Sequence, residues 1–136
     1  MPNWTDSMIA DMQANAGKVT QGRLAGYPHL IITTTGARTG SPRTTVLAYS
    51  RDDSRYVVAA TAGGAPKHPS WYHNLLVNPR VTIEVDGKRV EATARPTEGD
   101  ERARLWTNHV ATLPYFADYP DRTARVIPVI TLEPGG

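Results

Sequence analysis

The chain has 136 residues, of which 40% are apolar and 21% are charged, the size and balance of one globular domain. It contains no cysteine, which excludes disulfides, thiolate nucleophiles and cysteine-bound metals, so redox chemistry would require a cofactor. A net charge of +2 is too small to indicate nucleic acid binding, although residues 1–80 carry +4 and residues 81–136 carry −2.

The N-terminal segment predicts a short helix. Thr5 is placed to cap it, and Gly17 ends it after about Ala16. Its apolar face carries three residues, Met8, Ile9 and Met12. Packing on the rest of the fold is favoured over covering a ligand or making a peripheral membrane contact. We expect residues 1–17 to form this helix and residues 18–136 a single domain. The start of the chain is neither a basic leader nor an apolar signal core, which predicts a cytoplasmic protein.

Three strands are predicted next. A β-branched run predicts the first over residues 29–35, where a glycine follows. Residues 43–50 and 56–61 predict the second and third, joined by a polar turn at residues 52–54. The short connections favour a three-stranded meander.

The middle of the chain predicts a loop, a helix and a hairpin. Two glycines and two prolines exclude regular structure from residues 62–69. Ser70 is placed to cap a helix over residues 71–77. Residues 81–94 alternate apolar and polar about the turn Asp86-Gly87, which predicts a hairpin.

The last third of the chain predicts a helix and a final strand. Thr97 and Asp100 have the spacing of a helix cap, and the helix should run to about Ala111. Residues 126–132 are apolar enough for a strand, in which Pro128 indicates an edge or a bulge. These elements favour an α+β fold that is mostly β, a small antiparallel barrel with helices at its rims.

Several kinds of active site are absent from the sequence. The four histidines have no metal-binding spacing, so no metal site is expected. No nucleophile elbow, Walker phosphate loop or dinucleotide-binding glycine motif is present. The sequence therefore argues against hydrolase, NTPase and Rossmann functions.

The loop between the first two strands has the composition of an anion site. Arg38 and Arg43 flank it and offer forked, charge-assisted donors to phosphate or carboxylate. Thr39 and Ser41 add neutral donors beside a glycine-bearing turn. A plain hairpin with solvated arginines is the alternative interpretation.

The loop before the second helix is a stronger candidate. Its glycine pair at residues 63–64 allows a ligand to approach the backbone closely, and Lys67 adds positive charge. The helix that begins near Ser70 turns its N-terminal donors toward the same region. This combination favours an anionic, planar ligand. Core packing is the favoured role for at least one of the two aromatic residues that follow, Trp71 and Tyr72.

Two motifs in this order resemble the deazaflavin-dependent nitroreductase family. They are T-T-T-G-x-[RK]-[TS]-G-x-P-R at residues 33–43 and G-G-A-P-K-H-P-x-W-Y-x-N-L at residues 63–75. The similarity extends from about Leu30 to Pro134. It implies a split antiparallel β-barrel of the flavin-binding kind, with about six strands and three short helices. It also implies coenzyme F420, a deazaflavin with a phosphate and a glutamate tail.

The resemblance implies how the coenzyme would be held. Its phosphate and tail would lie against Arg38, Thr39 and Arg43, with Lys67 contributing charge. The ring and its ribityl chain would be surrounded by Val46, Leu47, Thr61, Gly63, Gly64, Trp71 and Asn74. The residue types are suitable because an anionic tail needs cationic side chains, whereas a tricyclic ring needs apolar walls and exposed backbone.

The acceptor side of the family is patterned roughly Y-P-x-Y-x-x-Y, where this chain has L-P-Y-F-A-D-Y at residues 113–119. The candidate substrate residues are Tyr115, Phe116 and Tyr119, of which only Tyr119 keeps a tyrosine of the pattern. Ala48 and Ala62 stand where well-known members have tyrosine and lysine, which predicts a wider acceptor pocket and a weaker tail site. These departures favour a quinone as acceptor over nitroimidazoles, with other nitroaromatics as a further option.

The resulting hypothesis is an F420-dependent oxidoreductase that passes hydride to a planar acceptor. Thr61 and Tyr119 would supply hydrogen bonds or a proton. Two alternatives stay open, namely a split barrel that uses FMN and a carrier that binds a deazaflavin without turnover. A nucleic-acid-binding barrel is disfavoured because the basic loops lack interleaved aromatic residues. The sequence identifies no oligomer interface.

Overall fold

The computed structural model describes residues 4–20, 25–61, 67–123 and 125–135 of the chain. Within these ranges, seven strands form one antiparallel sheet, accompanied by three α-helices and one 3-10 helix. The helices are α1 (Trp4–Ala14), α2 (Ser70–Val77), α3 (Gly99–Thr112) and the 3-10 helix (Pro114–Arg122). The strands are β1 (His29–Thr35), β2 (Pro42–Ala48), β3 (Ser50–Asp52), β4 (Arg55–Ala59), β5 (Arg80–Val85), β6 (Lys88–Pro96) and β7 (Val129–Pro134).

The sheet is curled because the chain joins its two edges. The strand order is β2-β1-β5-β6-β7-β4-β3, so β2 and β3 stand at opposite ends of the sheet. Only Tyr49 separates them in the sequence. Ala48 and Ser50 are two residue steps apart, a span of at most about 7 Å, so the two edges must approach one another. The result is a half-barrel, and the predicted split-barrel fold is confirmed.

Tyr49 is fixed where the chain crosses between the edges. Its backbone N–H donates to the carbonyl of Pro28, at 3.1 Å. Its side chain is buried in the central core, with its ring edge-on to Tyr56 at a centroid distance of 5.3 Å. Such a contact adds about 1 kcal/mol to the apolar burial.

The predicted strands are largely correct, but the predicted meander is wrong. β1 has the expected bounds, and the hairpin of β5 and β6 forms about its two-residue turn. The predicted second strand is instead β2 and β3, which pair with β1 and β4 respectively. The count is therefore seven rather than about six. An apolar pattern along residues 43–50 cannot show that the chain leaves one sheet edge for the other.

Three predicted helix caps are also wrong. Thr5 lies within α1, which begins at Trp4, instead of preceding it. Ser70 is the first residue of α2 and follows Pro69, with no side-chain cap. The hydroxyl of Thr97 donates to the carbonyl of Val129, at 2.8 Å, instead of capping α3. Glu98 occupies the cap position of α3 without a side-chain hydrogen bond. Thr97 therefore joins the end of β6 to β7. This hydrogen bond links residues that are far apart in the sequence, so a local pattern does not reveal it.

The third and last strands are shorter at one end than predicted, for a shared reason. β4 ends at Ala59, and β7 begins at Val129 rather than at residue 126. The N–H of Ala60 donates to the carbonyl of Pro128, at 2.9 Å, so the two lead-in segments remain side by side. Pro128 has no N–H to return, and the regular ladder therefore starts after it.

Helix α1 packs on the outside of β1 and β2. Met8 and Met12 lie in a cluster with Val19, Ile31 and Val46, and Met12 has no exposed surface. The packing favoured by the sequence is confirmed. Gly17 allows the close approach that follows the helix, since a Cβ there would lie 2.7 Å from the Cα atom of Asp86. No helix within the described ranges is long and apolar enough to cross a membrane.

Helix α3 is attached to the β3–β4 edge by charged and polar contacts. Asp52 forms ion pairs with Arg55 and Arg104, which hold the pKa of its carboxyl at about 2. Further along the helix, His109 has no exposed surface and shares a 2.7 Å hydrogen bond between its Nδ1 and the Ser50 hydroxyl. Its Nε2 has no partner among the described residues. This imidazole is therefore buried in its neutral form.

Burial of His109 makes the stability of the fold depend on pH. Burial lowers the pKa of His109 from 6.5 to about 4. Between these values the unfolded chain binds more protons than the folded protein, so the free energy of unfolding falls as the pH falls from about 6.5 to about 4. The loss from this group is about 3 kcal/mol. Urea unfolding at a series of pH values measures it.

The variant His109→Phe is the control, because it fills the same space without a titrating group. Its unfolding free energy should change less with pH over this window than that of the original protein. His29 and His68, whose pKa values burial also lowers, and the carboxyls of Asp52 and Glu101, whose pKa values their arginine partners lower, contribute to the remaining slope. Equal slopes in the two proteins would contradict the assignment to His109.

Candidate active site

A groove lies between the β1–β2 loop and α2. Its volume is about 760 Å³, within the range of sites that bind a small molecule or a cofactor. It is lined by Gly36, Ala37, Arg38, Thr39, Arg43, Thr44, Thr45, Ser70, Trp71, His73 and Asn74. The groove therefore joins the β1–β2 loop that the sequence singles out to the first half of α2.

The β1–β2 loop is a compact turn. The N–H of Gly36 donates to the carbonyl of Ser41, at 2.7 Å, and the N–H of Gly40 donates to the carbonyl of Gly36, at 2.9 Å. The Thr39 hydroxyl accepts from the N–H of Ser41, at 3.2 Å. A Cβ at position 36 would lie 3.0 Å from that hydroxyl and 3.1 Å from the Ser41 carbonyl oxygen. Only glycine leaves the turn this tight.

Asn74 fastens α2 to this loop. Its Oδ1 accepts from the N–H of Ala37, at 3.0 Å, and its Nδ2 donates to the Thr34 hydroxyl, at 3.1 Å. The bond to Thr34 is buried and shielded from water, whereas the bond to Ala37 is partly buried. They bridge about forty positions of sequence and set the width of the groove between the loop and the helix.

The groove is electropositive. Arg38 and Arg43 line it, and no carboxylate is among its described lining residues. Neither arginine forms an ion pair within the parts of the chain that the structure describes. The N-terminal turn of α2, with Ser70 and Trp71, adds the positive end of a helix dipole. Such a surface suits an anionic ligand.

The structure brings together five of the residues predicted to bind the coenzyme, namely Arg38, Thr39, Arg43, Trp71 and Asn74. Thr44 and Thr45 lie outside both predicted segments, whereas Gly36, Ala37, Ser70 and His73 lie within them but were not predicted to bind the coenzyme. A helical period would have found two of these. Ser70, Trp71, His73 and Asn74 have the i, i+1, i+3, i+4 spacing of one helix face.

The other predicted coenzyme residues lie elsewhere. Val46 is buried beneath α1, and Leu47 packs against the central core. Lys67 is exposed, three residues before α2. Thr61 follows the end of β4, where its carbonyl accepts from Arg125 at 2.6 Å. Gly63 and Gly64 lie outside the described residues.

The three predicted acceptor residues form an aromatic surface on the 3-10 helix. Phe116 is only 6% exposed, and its ring lies edge-on to His109 and Tyr119 at 4.6 and 5.2 Å between centroids. Tyr115 and Tyr119 are half-buried around it. Phe116 thus packs behind the surface, whereas the partly exposed rings of Tyr115 and Tyr119 form its accessible part.

The hydroxyl of Tyr115 is protonated throughout the physiological range. Burial, followed by the neighbouring Tyr119 and Tyr27, raises the pKa of Tyr115 to about 12. The Tyr27 ring lies edge-on to it at 5.1 Å. Tyr115 is therefore suited to donate a hydrogen bond rather than to give up a proton.

Comparison with known proteins decides what this site belongs to. The model of the F420H(2)-dependent quinone reductase family matches residues 4–134. The chain belongs to this family. The coenzyme and the oxidoreductase class predicted from the two motifs are thereby confirmed. An F420H(2)-dependent quinone reductase of Mycobacterium tuberculosis is 44% identical over 108 residues, which cover 77% of this chain and 72% of the relative.

Solved structures agree with this family assignment. A structure described as an F420-H2 dependent reductase shares 40% identity with this reductase and a TM-score of 0.72. The match covers 78% of this reductase and 94% of that chain. A second structure, described as a domain-swapped dimer, is 36% identical with a TM-score of 0.73 and covers 93% and 92% of the two chains.

The Asn74 bridge predicts a linked loss of stability and coenzyme binding. Replacing Asn74 with Ala leaves the N–H of Ala37 and the buried Thr34 hydroxyl without these partners, which should cost about 1–3 kcal/mol of unfolding free energy. Affinity for F420 should fall as well, since the groove is no longer held at one width. Urea unfolding and fluorescence titration measure the two effects.

The matched control is Thr34→Val, which removes one of the two bonds and keeps the Ala37 contact. Its coenzyme affinity should lie closer to that of the original protein. If Asn74→Ala bound F420 as tightly as the original protein, the Asn74 hydrogen bonds would not determine the width of the groove.

Proposed function

We propose that this reductase transfers hydride from reduced F420 to a quinone, and that the groove between the β1–β2 loop and α2 binds the anionic part of the coenzyme. The observation that carries the proposal is a groove lined by two arginines and a helix N-terminus, with no carboxylate among its described lining residues. F420 has a phosphate and a glutamate tail, and both need cationic and hydroxyl donors.

The residues of the groove fit such a group. Arg38 and Arg43 offer forked donors, while Thr39, Thr44 and Ser70 add hydroxyls. Trp71 provides an aromatic wall on the same helix face. A site with two arginines is more than a single phosphate needs, which favours a ligand with several negative charges over FMN.

Reduced F420 supplies a hydride, and a quinone that takes up this hydride and one proton becomes the hydroquinone. The protein aligns the acceptor and excludes water from it. Tyr115 and Tyr119 would form the wall against which a planar acceptor lies, with Phe116 behind them. We assign the hydrogen bond to the developing oxyanion to the Tyr119 hydroxyl and to Thr61, as the sequence suggests.

The acceptor surface also favours quinones over nitroaromatics. It contains two tyrosines and a phenylalanine where the resembling family has three tyrosines, so it has fewer hydroxyls for a nitro group. Binding to such a surface costs a flat apolar ring system less desolvation free energy than it costs a polar one. Nitroaromatics remain the second acceptor class of this proposal.

Cellular location and assembly form a separate part of the proposal. We propose that the protein acts in the cytoplasm. Met8 and Met12 of α1 are occupied by packing on the sheet, which supports a structural role for this helix over a membrane contact. One solved relative is described as a domain-swapped dimer, so sedimentation should accompany the assays.

The proposed function is tested by titrating the purified protein with F420 and, separately, with FMN, followed by fluorescence. Menadione is then added to the complex with reduced F420. We expect F420 to bind more tightly than FMN, and menadione to oxidise the complex rapidly. The double variant Arg38→Met, Arg43→Met should weaken the binding of F420 more than the binding of FMN.

Each other outcome has a definite meaning. Tight F420 binding without oxidation by any quinone would identify a carrier. A preference for FMN would overturn the groove assignment. If the double arginine variant lost affinity for F420 and for FMN equally, binding of the F420 tail by these arginines would be contradicted.

The role of the Tyr119 hydroxyl is tested with Tyr119→Phe. We expect kcat for menadione to fall about tenfold or more, because one donor to the developing oxyanion is lost, while the Kd for F420 stays within about twofold. Stopped-flow oxidation of the reduced complex measures this step. The matched control is Tyr56→Phe in the central core, which should leave kcat unchanged. Equal losses in kcat and F420 affinity would contradict the assignment.

A further inference from the structure

Arg125 bonds to both ends of the segment that carries the predicted glycine pair. One guanidinium nitrogen, Nη1, donates to the carbonyl of Ala60 at 2.9 Å, and Nη2 donates to the carbonyl of Thr61 at 2.6 Å. Nη1 also lies 3.0 Å from Nδ1 of His68. One partly buried side chain thus reaches positions 60, 61 and 68, which are far from it in sequence.

The contact with His68 fixes the state of this imidazole. A guanidinium has only donors, so Nδ1 of His68 must be the acceptor and the proton of the neutral ring must be on Nε2. Protonation would place an N–H at Nδ1, facing another donor and another positive charge. Desolvation, followed by the charges of Arg125 and His73, lowers the pKa of His68 below its ordinary value.

His68 is in turn packed against the start of α2. Its ring lies edge-on to that of Tyr72, with centroids 5.0 Å apart, and 6.0 Å from that of His73. His73 lines the groove. Arg125 is therefore connected, through one imidazole, to the helix that forms one side of the groove.

Arg125 also belongs to the segment that follows the aromatic 3-10 helix. Three residues further on, the carbonyl of Pro128 accepts from the N–H of Ala60 at 2.9 Å, so this segment and the end of β4 are joined by backbone and side chain alike. In the chain, the aromatic 3-10 helix directly precedes the segment of Arg125, and Thr61 follows the end of β4. No other residue in the described ranges is seen to bond to both Thr61 and His68.

We propose that Arg125 is a positioning residue that fixes Thr61 and His68 relative to each other, and so holds the coenzyme ring in register with the acceptor surface. The proposal rests on the proposed function, because one of its tests measures the affinity of the protein for F420. Its physical basis is the forked geometry of the guanidinium, which bonds three acceptors at once, whereas an ammonium group presents a single nitrogen.

The test compares Arg125→Met and Arg125→Lys with the matched control Arg102→Met. Arg102 also donates to a backbone carbonyl, that of Ile127, at 3.1 and 2.6 Å, but it contacts neither Thr61 nor His68. F420 affinity is measured by fluorescence titration. The pKa and tautomer of His68 are measured by NMR of the imidazole nitrogens, which does not depend on the coenzyme.

We expect Arg125→Met to raise the Kd for F420 about tenfold or more, as the loss of hydrogen bonds from a charged group predicts. The pKa of His68 should rise in the same variant. In Arg125→Lys the pKa of His68 should stay low, since the positive charge remains. The affinity for F420 should nevertheless fall, because the forked hydrogen bonds are lost. Arg102→Met should change neither by more than about twofold.

The proposal is overturned if Arg125→Met binds F420 like the original protein, or if Arg102→Met weakens F420 equally. If Arg125→Met does not fold, Arg125→Lys provides the same comparison. Failure of the original protein to bind F420 would instead contradict the proposed function, and the His68 measurement would still decide whether Arg125 fixes that imidazole.

Discussion

The single residue between β2 and β3 is the constraint from which the rest of the molecule follows. Because Tyr49 alone joins strands at opposite edges, the sheet cannot be flat. Curling buries one face around a common core and leaves the ends of the strands to loops and helices. The groove residues of β2, and helix α3, which packs against β3 and β4 and contacts the 3-10 helix, are thereby parts of one frame.

The two halves of the proposed site depend on this frame in different ways. The anion groove is built from local hydrogen bonds, within the β1–β2 loop and across to α2 through Asn74. The aromatic surface depends on burial, since Phe116 rests on the imidazole of His109, which Ser50 of β3 holds. Arg125, which bonds to Thr61 and His68, is the polar connection that we propose between the two.

Most of the fold and half of the site could be predicted from the sequence. The strands of residues 29–35 and 81–94 were predictable because their side chains alternate, and the anion loop because arginines and glycines have few other uses in that order. The edge-to-edge crossing at Tyr49, the use of Thr97 in a strand contact and the burial of Val46 were not. Each depends on a partner far away in sequence, which a local pattern does not contain.

The division of labour within the aromatic surface has a consequence for how this enzyme changes over evolution. Phe116 is part of the interior, so a substitution there alters packing around His109 as well as the acceptor. Tyr115 and Tyr119 are half-buried on either side and can be exchanged at lower cost to the fold. Related proteins can therefore diverge in acceptor preference by drift at two positions, while the supporting ring and the coenzyme groove stay under selection for folding.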